Sequence, residues 1–243
     1  MKFRSILLTS VVILGLSGIG FGTNHVKAMP LDANQTKEPA LSEHELMTIK
    51  ANQLKMGSDE KTANQLIEKY KKGELADADL MSFKDAVSSN TIVEGDTTTT
   101  TYEFPDGSRA QMQITELKLL GRITPFASIS GGRCQTTTVG TECKSVKVSN
   151  NTPFYGMSYY VNYYLNRFGY DSITWVGNYN VWTVTGSYAN PSLRILKPEN
   201  TSWHDEARLS AQFNMIFEIG SFNRSLSFYV GNNRTGLGWN SYY

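Results

Sequence analysis

The stretch that decides the fold is YGMSYYVNYYL, which runs from Tyr155 to Leu165. Its odd-numbered residues are apolar or aromatic, whereas its even-numbered residues are Gly, Ser, Tyr and Asn. A period of two over this length is typical of an antiparallel strand with one buried face and one wet face. The same alternation recurs in Ala207–Ile219 and in Ser225–Val230. The C-terminal half is therefore predicted to be an antiparallel β domain.

Shorter apolar runs complete the set of predicted strands. They are Val146–Val148, Ile173–Val176, Asn180–Val184 and Leu193–Leu196, with turn residues such as Gly177-Asn178, Asn190-Pro191 and Gly231-Asn232 between runs. Seven or eight short strands at this spacing predict an all-β sandwich or open barrel. We place this domain over residues 96–243. A hairpin is also predicted near its start, where Pro105-Asp106-Gly107 forms a turn before the alternating residues Ala110–Ile114.

A helical region precedes the β domain. Ser42 and Glu45 fit a capping box at the start of a first helix, and Gly57 and Gly73 mark the ends of two helices. A shorter helical piece is predicted over Asp79–Val87. The apolar stripes are narrow, so residues 29–95 are either a small α-helical segment that packs on the β domain or a detachable pro-segment. The polar, threonine-rich run Ser88–Thr101 is interpreted as the boundary.

The first 28 residues predict export. Lys2 and Arg4 precede the apolar stretch Ile6–Phe21, and Val26-Lys27-Ala28 resembles a cleavage site. This three-part pattern is typical of a signal peptide, so we expect a secreted, extracellular protein cleaved after Ala28.

The charge balance argues against nucleic acid as a partner. Without residues 1–28 the chain carries 20 basic and 22 acidic residues, whereas a nucleic-acid binder needs a basic excess. The balance is −5 over residues 29–96 and +3 over residues 97–243. These opposite charges permit docking of the helical segment on the β domain. A mildly positive β domain also suits an anionic envelope, although ordinary surface scatter explains the bias equally well.

Two cysteines, Cys134 and Cys143, are expected to form a disulfide, because an even, closely spaced pair in an exported chain usually does. Two cysteines are too few for a structural zinc site, which needs four ligands, and their spacing does not match a thioredoxin-type redox motif.

The sequence contains no familiar catalytic constellation. His204 is followed by Asp205 and Glu206, but neighbouring residues of an extended segment point to opposite faces and cannot form a triad among themselves. A polar turn is the better interpretation of this segment. Asp171 is likewise interpreted as a turn residue. A third hypothesis is an exported hydrolase whose catalytic carboxylates come from distant positions in the sequence. We therefore predict no enzyme, no metal and no cofactor.

Aromatic residues are the remaining signal, since all four Trp and 11 of the 13 Tyr lie beyond residue 125. Many must fill the core. Strand alternation leaves a surplus that we take as candidate contacts for a surface, a membrane or a glycan. These candidates are Tyr160, Tyr164, Trp175, Trp182, Trp203 and Trp239. Exposed patches of Trp and Tyr suit stacking on sugars and the lipid headgroup zone.

Four segments carry a resemblance to known proteins: Leu66–Leu75, Phe104–Ser108, Gly131–Cys143 and Tyr155–Tyr160. In this order, after a leader, they resemble a group of small exported proteins of Gram-positive bacteria that includes the large geobacillin-type bacteriocins. The resemblance implies an antibacterial protein released against related bacteria. It brings no catalytic residues with it.

We therefore expect one of two functions. The first is a bacteriocin-like antimicrobial (antibiotic) protein that acts without catalysis at the envelope of related bacteria, through a surface receptor or glycan. The second is a carbohydrate- or surface-binding β-sandwich module without toxicity, for which Trp175, Trp182 and Trp203 are the stacking candidates.

Overall fold

The computed structural model describes residues 41–118, 132–198, 202–214 and 221–242. The predicted signal peptide over residues 1–28 lies outside the described residues, as do residues 29–40 and the end of the predicted strand Ala207–Ile219. The helical elements are α1 (Glu43–Lys55), α2 (Glu60–Lys71), α3 (Asp77–Leu80) and a 3-10 turn (Phe83–Asp85). The strands are β1 (Ser88–Glu94), β2 (Thr97–Glu103), β3 (Arg109–Lys118), β4 (Gly132–Thr136), β5 (Gly140–Asn151), β6 (Tyr155–Asn166), β7 (Ser172–Thr183), β8 (Ser187–Leu196), β9 (Asp205–Asn214), β10 (Ser221–Gly231) and β11 (Arg234–Tyr242).

The strands form two sheets, which confirms the predicted all-β class. One sheet has seven strands in the order β1 to β7, with β3 also paired to β5, and the other has four in the order β11-β10-β9-β8. Among the described residues, all strand pairings are antiparallel except that of β3 with β4. Between the sheets the Tyr163 and Phe228 rings lie 5.2 Å apart, and the Tyr159 phenol donates a hydrogen bond to the Ala207 carbonyl. The sheets therefore share one core, as in a sandwich.

The strand count differs from the predicted seven or eight, because the described residues contain eleven strands. The run Ser88–Thr101, interpreted as a boundary, forms β1 and most of β2 instead, since Thr favours strands. The β structure thus begins at Ser88, upstream of the boundary placed at residue 96.

Two predicted turns are bulges inside strands. Asn178 and Asn190 have φ of +50° and +52°, and the register shifts beside Asn190, but β7 and β8 continue through them. Asn tolerates the left-handed conformation, so its presence signals a positive φ without distinguishing a turn from a bulge. By contrast, the turn predicted at Gly231-Asn232 is present. Asn232 and Asn233 link β10 to β11, and both have positive φ.

The helical segment packs on the sandwich. The Ser42–Glu45 capping box is present, and Asp59 caps α2 by accepting from the Thr62 amide at 2.7 Å. The predicted helix Asp79–Val87 is instead the short α3 and the 3-10 turn. Buried apolar side chains of α1 and α2 join the core of the sheets, with the Tyr70 ring stacked 5.6 Å from Phe154. The helical segment therefore packs on the β domain in this structure, and its role as a detachable pro-segment stays a prediction.

Candidate functional site

The outer face of the seven-stranded sheet collects four of the predicted aromatic contacts. On β6 the odd-numbered residues from Tyr155 to Tyr163 are buried, whereas Tyr160 and Tyr164 are half-buried and point away from the core. Strand β7 adds Trp175 opposite Asn162 and Trp182 opposite Gly156. Cross-strand partners point to the same side of a sheet, so all four rings share this face.

Glycines determine how these rings lie. A methyl group added at Gly156 would come within 2.5 Å of the Trp182 indole nitrogen, and one added at Gly177 would collide with the Trp175 indole. The Tyr164 phenol lies over Gly140 in the same way, at 2.6 Å from such a methyl group. Each ring therefore rests where a neighbour has no side chain, as aromatic residues do over glycines of a sheet.

This arrangement leaves aromatic surface facing outward. Trp175 is 40% exposed although its indole covers Gly177. A ring supported by the backbone keeps its orientation without a partner, so binding would cost little ordering entropy.

The rest of the outer face is polar, and it includes charged residues such as Lys147 opposite Tyr160 and Glu142 opposite Tyr164. On β3 the Gln111 and Gln113 amides donate to the hydroxyls of Thr101 and Thr99 at 3.2 and 3.3 Å. Rings beside a surface of amides and hydroxyls offer stacking together with hydrogen bonding. Ligands whose apolar C–H faces carry hydroxyl groups, such as saccharides, require both kinds of contact.

Trp203 belongs to a different surface. It lies against Gly236 of β11, its ring is 5.6 Å from the Tyr229 ring, and the Arg234 guanidinium lies 4.8 Å from its centroid. Because β10 and β11 belong to the four-stranded sheet, Trp203 does not join Trp175 and Trp182 in one site.

The prediction that Trp239 is a surface contact is wrong, because Trp239 is a core residue. It is 2% exposed and lies near the rings of Tyr155 at 6.0 Å and Phe83 at 6.4 Å. In β11 it stands opposite Leu226, a buried residue of β10, so strand alternation turns it inward. Leu237 and Trp239 alternate with Gly236, Gly238 and Asn240, and both contribute to the core, so the sequence did carry the signal that turns Trp239 inward.

His204 lies beside a buried carboxylate, Asp171, which is 1% exposed although it was predicted to be an ordinary turn residue. The Asp171 backbone amide donates to His204 Nδ1 at 2.9 Å. The carboxylate of Asp171 accepts hydrogen bonds from the backbone N–H groups of Asn166 and Asn233, both at 2.7 Å. In a catalytic pair the histidine Nδ1–H donates to the carboxylate, whereas here Nδ1 is an acceptor. The group therefore clamps the β6–β7 and β10–β11 connections together.

Asp205 forms a second clamp of the same kind. It is 2% exposed, accepts from the Ile173 amide at 2.8 Å and pairs with Lys197. Because Ile173 belongs to β7 and Asp205 to β9, this carboxylate ties the two sheets together at one end.

Sequence reasoning missed two exposed aromatic residues, Phe168 and Tyr170, which are 79% and 73% exposed. They flank Gly169 in the β6–β7 connection. Phe168-Gly169 was interpreted simply as a turn signal. Two aromatic side chains on either side of a turn glycine were the available signal, since a turn seldom buries its tip.

The disulfide between Cys134 and Cys143 is present and joins β4 to β5, as predicted. Within the described residues, no group of three or more His, Cys, Asp or Glu side chains is arranged to hold a metal ion. No helix in this part of the chain has the length and apolar character needed to cross a membrane. Comparison with protein-family models, with curated proteins and with solved structures found no match for this chain.

Proposed function

We propose that this protein is secreted and binds the envelope of Gram-positive bacteria without catalysis, through the outer face of its seven-stranded sheet. The observation that carries the proposal is the seating of Trp175 and Trp182 over Gly177 and Gly156. Aromatic rings held in place on a polar, hydroxyl-rich face match the stacking and hydrogen bonding that wall polysaccharides offer.

An extracellular location agrees with the chemistry of the cysteines. A disulfide such as Cys134–Cys143 persists in oxidising compartments and is rare in reducing ones. The signal-peptide pattern of residues 1–28 supports the same location.

The consequence of binding is proposed to be inhibition of related bacteria. The support is the resemblance of four sequence segments to exported bacteriocins of the geobacillin type. In this role the outer face would be the recognition surface, and its partner would be a glycan or receptor of the target envelope.

A second candidate is a carbohydrate-binding module without toxicity. The Gln111 and Gln113 amides paired with threonine hydroxyls on the same face as the rings favour it, because lectins bind sugars through such groups together with aromatic rings. The two candidates share the same surface and differ in whether binding inhibits the cell.

The experiment uses the purified secreted form on intact cells of a panel of Gram-positive bacteria. Cell binding and growth inhibition are measured for the wild type, for W175A/W182A and for Y188A. Tyr188 is the matched control, because it is 44% exposed and lies on the four-stranded sheet.

Binding and inhibition that are both lost in W175A/W182A and kept in Y188A would support the antibacterial proposal. Binding without inhibition would select the carbohydrate-binding module. Equal cell binding by all three proteins would contradict the shared surface.

A further inference from the structure

One end of the sandwich brings together three connections: residues 137–139 between β4 and β5, residues 167–171 between β6 and β7, and residues 232–233 between β10 and β11. The Arg167 amide donates to the Val139 carbonyl at 3.0 Å, which joins the first two connections. The Asn233 amide donates to Asp171 at 2.7 Å, which joins the third. We call this end the aromatic tip.

The aromatic tip exposes large apolar side chains. Phe168 is 79% exposed, Tyr170 is 73% exposed and Val139 is 52% exposed. The Tyr170 ring packs against the His204 ring, with their centroids 4.2 Å apart, and this contact holds it in position at the end of the sandwich. An exposed Phe next to a Tyr at the tip of a loop suits the headgroup zone of a bilayer, where a ring is half dry and half wet.

A groove of about 310 Å³ opens beside these side chains. Its walls include the threonines at 136, 137 and 141, together with Arg167 and Asn233. Hydroxyl, amide and guanidinium groups around one space are the donors that a phosphate oxygen accepts from, and Arg binds phosphate in a fork geometry.

The charge at the tip is positive. Arg167 lies in the β6–β7 connection and Arg234 begins β11 directly after the third connection. The one acidic residue of the three connections, Asp171, is buried and bonded to backbone amides. Within the part of the chain that the structure describes, no carboxylate pairs with the Arg167 guanidinium. An unpaired cation at an apolar tip is complementary to an anionic surface.

The walls of the groove are held in place before any ligand arrives. The Cys134–Cys143 disulfide closes the hairpin that carries the threonines, and Asp171 clamps Asn233 to the β6–β7 connection. A fixed set of donors loses little entropy on binding.

We propose that the aromatic tip docks on a bilayer of anionic phospholipid. The Phe168 and Tyr170 side chains enter the headgroup zone, and the groove beside Arg167 takes the phosphate of one lipid. Gly140 of the groove wall lies under the Tyr164 ring of the aromatic face, so the two surfaces adjoin, but docking on lipid uses other side chains and goes beyond envelope recognition by that face.

The test is co-sedimentation of the full protein with vesicles of phosphatidylglycerol or of phosphatidylcholine. We expect binding to phosphatidylglycerol that weakens with added salt, and little binding to phosphatidylcholine. R167Q should weaken binding about fivefold, because one basic residue near an anionic surface contributes that factor. F168S/Y170S should weaken it at least about tenfold, since two apolar side chains no longer enter the interface.

Two controls separate this inference from the proposed function. Y188S removes an aromatic ring of the four-stranded sheet, away from the tip, and should bind vesicles as the wild type does. W175A/W182A should also keep vesicle binding even where it loses cell-wall binding. Equal binding to both lipids, wild-type binding by R167Q and F168S/Y170S, or binding of soluble glycerol phosphate without vesicle binding would overturn the proposal.

Discussion

The Tyr70 phenol donates a hydrogen bond of 2.5 Å to the Asp79 carboxylate, and both side chains are buried between the helical segment and the sandwich. On the other side of the same residue, the Asp79 carbonyl accepts from the Tyr155 phenol at 2.9 Å and from the buried guanidinium of Arg224. One residue of α3 is thereby bound by groups from a helix and from both sheets. The helical segment is held to the sandwich at this point.

This junction predicts a pH-dependent stability. Burial raises the pKa of the Asp79 carboxyl to about 6, against an ordinary value near 4. The folded protein then holds this proton more tightly than the unfolded chain does. The resulting stabilisation is fully present below about pH 4 and is lost as the pH rises through about 6. The loss amounts to about 3 kcal/mol.

The measurement is urea unfolding of the wild type and of D79N between pH 4 and pH 8. Asn cannot titrate, so the unfolding free energy of the wild type minus that of D79N should fall as the pH rises. A difference that stays constant or grows with pH would contradict the assignment of a raised pKa to Asp79.

A second prediction contrasts two tryptophans. W239A removes a buried ring that packs near Tyr155 and should lower the unfolding free energy by about 3–5 kcal/mol. W175A removes a ring on the outer face and should cost less than about 1 kcal/mol. Denaturant unfolding of both variants checks this, and comparable losses would show that the outer face is not a free surface.

A third prediction concerns the disulfide. Cys134 and Cys143 are separated by nine positions. Closing a loop of this size lowers the entropy of the unfolded chain and stabilises the fold by about 2–3 kcal/mol. C134A/C143A should therefore lose this much unfolding free energy while keeping its sheet signature in circular dichroism. A double variant as stable as the wild type would show that the pairing of β4 with β5 holds this hairpin without any contribution from the disulfide.

A fourth prediction uses the glycine beneath a ring. G177A places a methyl group where the Trp175 indole lies and should displace this ring. Because the indole is partly exposed and free to move outward, the unfolding free energy should change by less than about 1 kcal/mol. Affinity for wall polysaccharide should nevertheless fall. Titration of G177A with the polysaccharide measures this, and T174A, a variant of the same strand, is the control. Unchanged affinity in G177A would mean that the seating of the ring is irrelevant to binding.

The β class was predictable because alternation such as that of Tyr155–Tyr163 directly encodes a buried and a wet face. The same rule placed Tyr160 and Tyr164 on the outer face. The same rule turns Trp239 inward, because Leu237 and Trp239 alternate with Gly236 and Gly238, but the run is short and Trp239 was interpreted as a surface ring. The strand β1 was missed because Ser and Thr are as common in linkers as in strands, and its residues are exposed on both faces.

Contacts between distant segments could not be predicted from the sequence. Asp171 and Asn233 are separated by 62 positions, and nothing local indicates that the carboxylate of one accepts from the amide of the other. The groove beside Arg167 is likewise formed by separate connections whose proximity depends on how the two sheets pack.

The most direct measurement of the central claim is calorimetric titration of the purified protein with solubilised wall polysaccharide from a Gram-positive bacterium. We predict saturable binding that weakens at least about tenfold in W175A/W182A, the loss expected when stacking rings are removed, and that stays unchanged in Y188A. Binding of equal affinity in all three proteins, or no binding by the wild type, would contradict this claim.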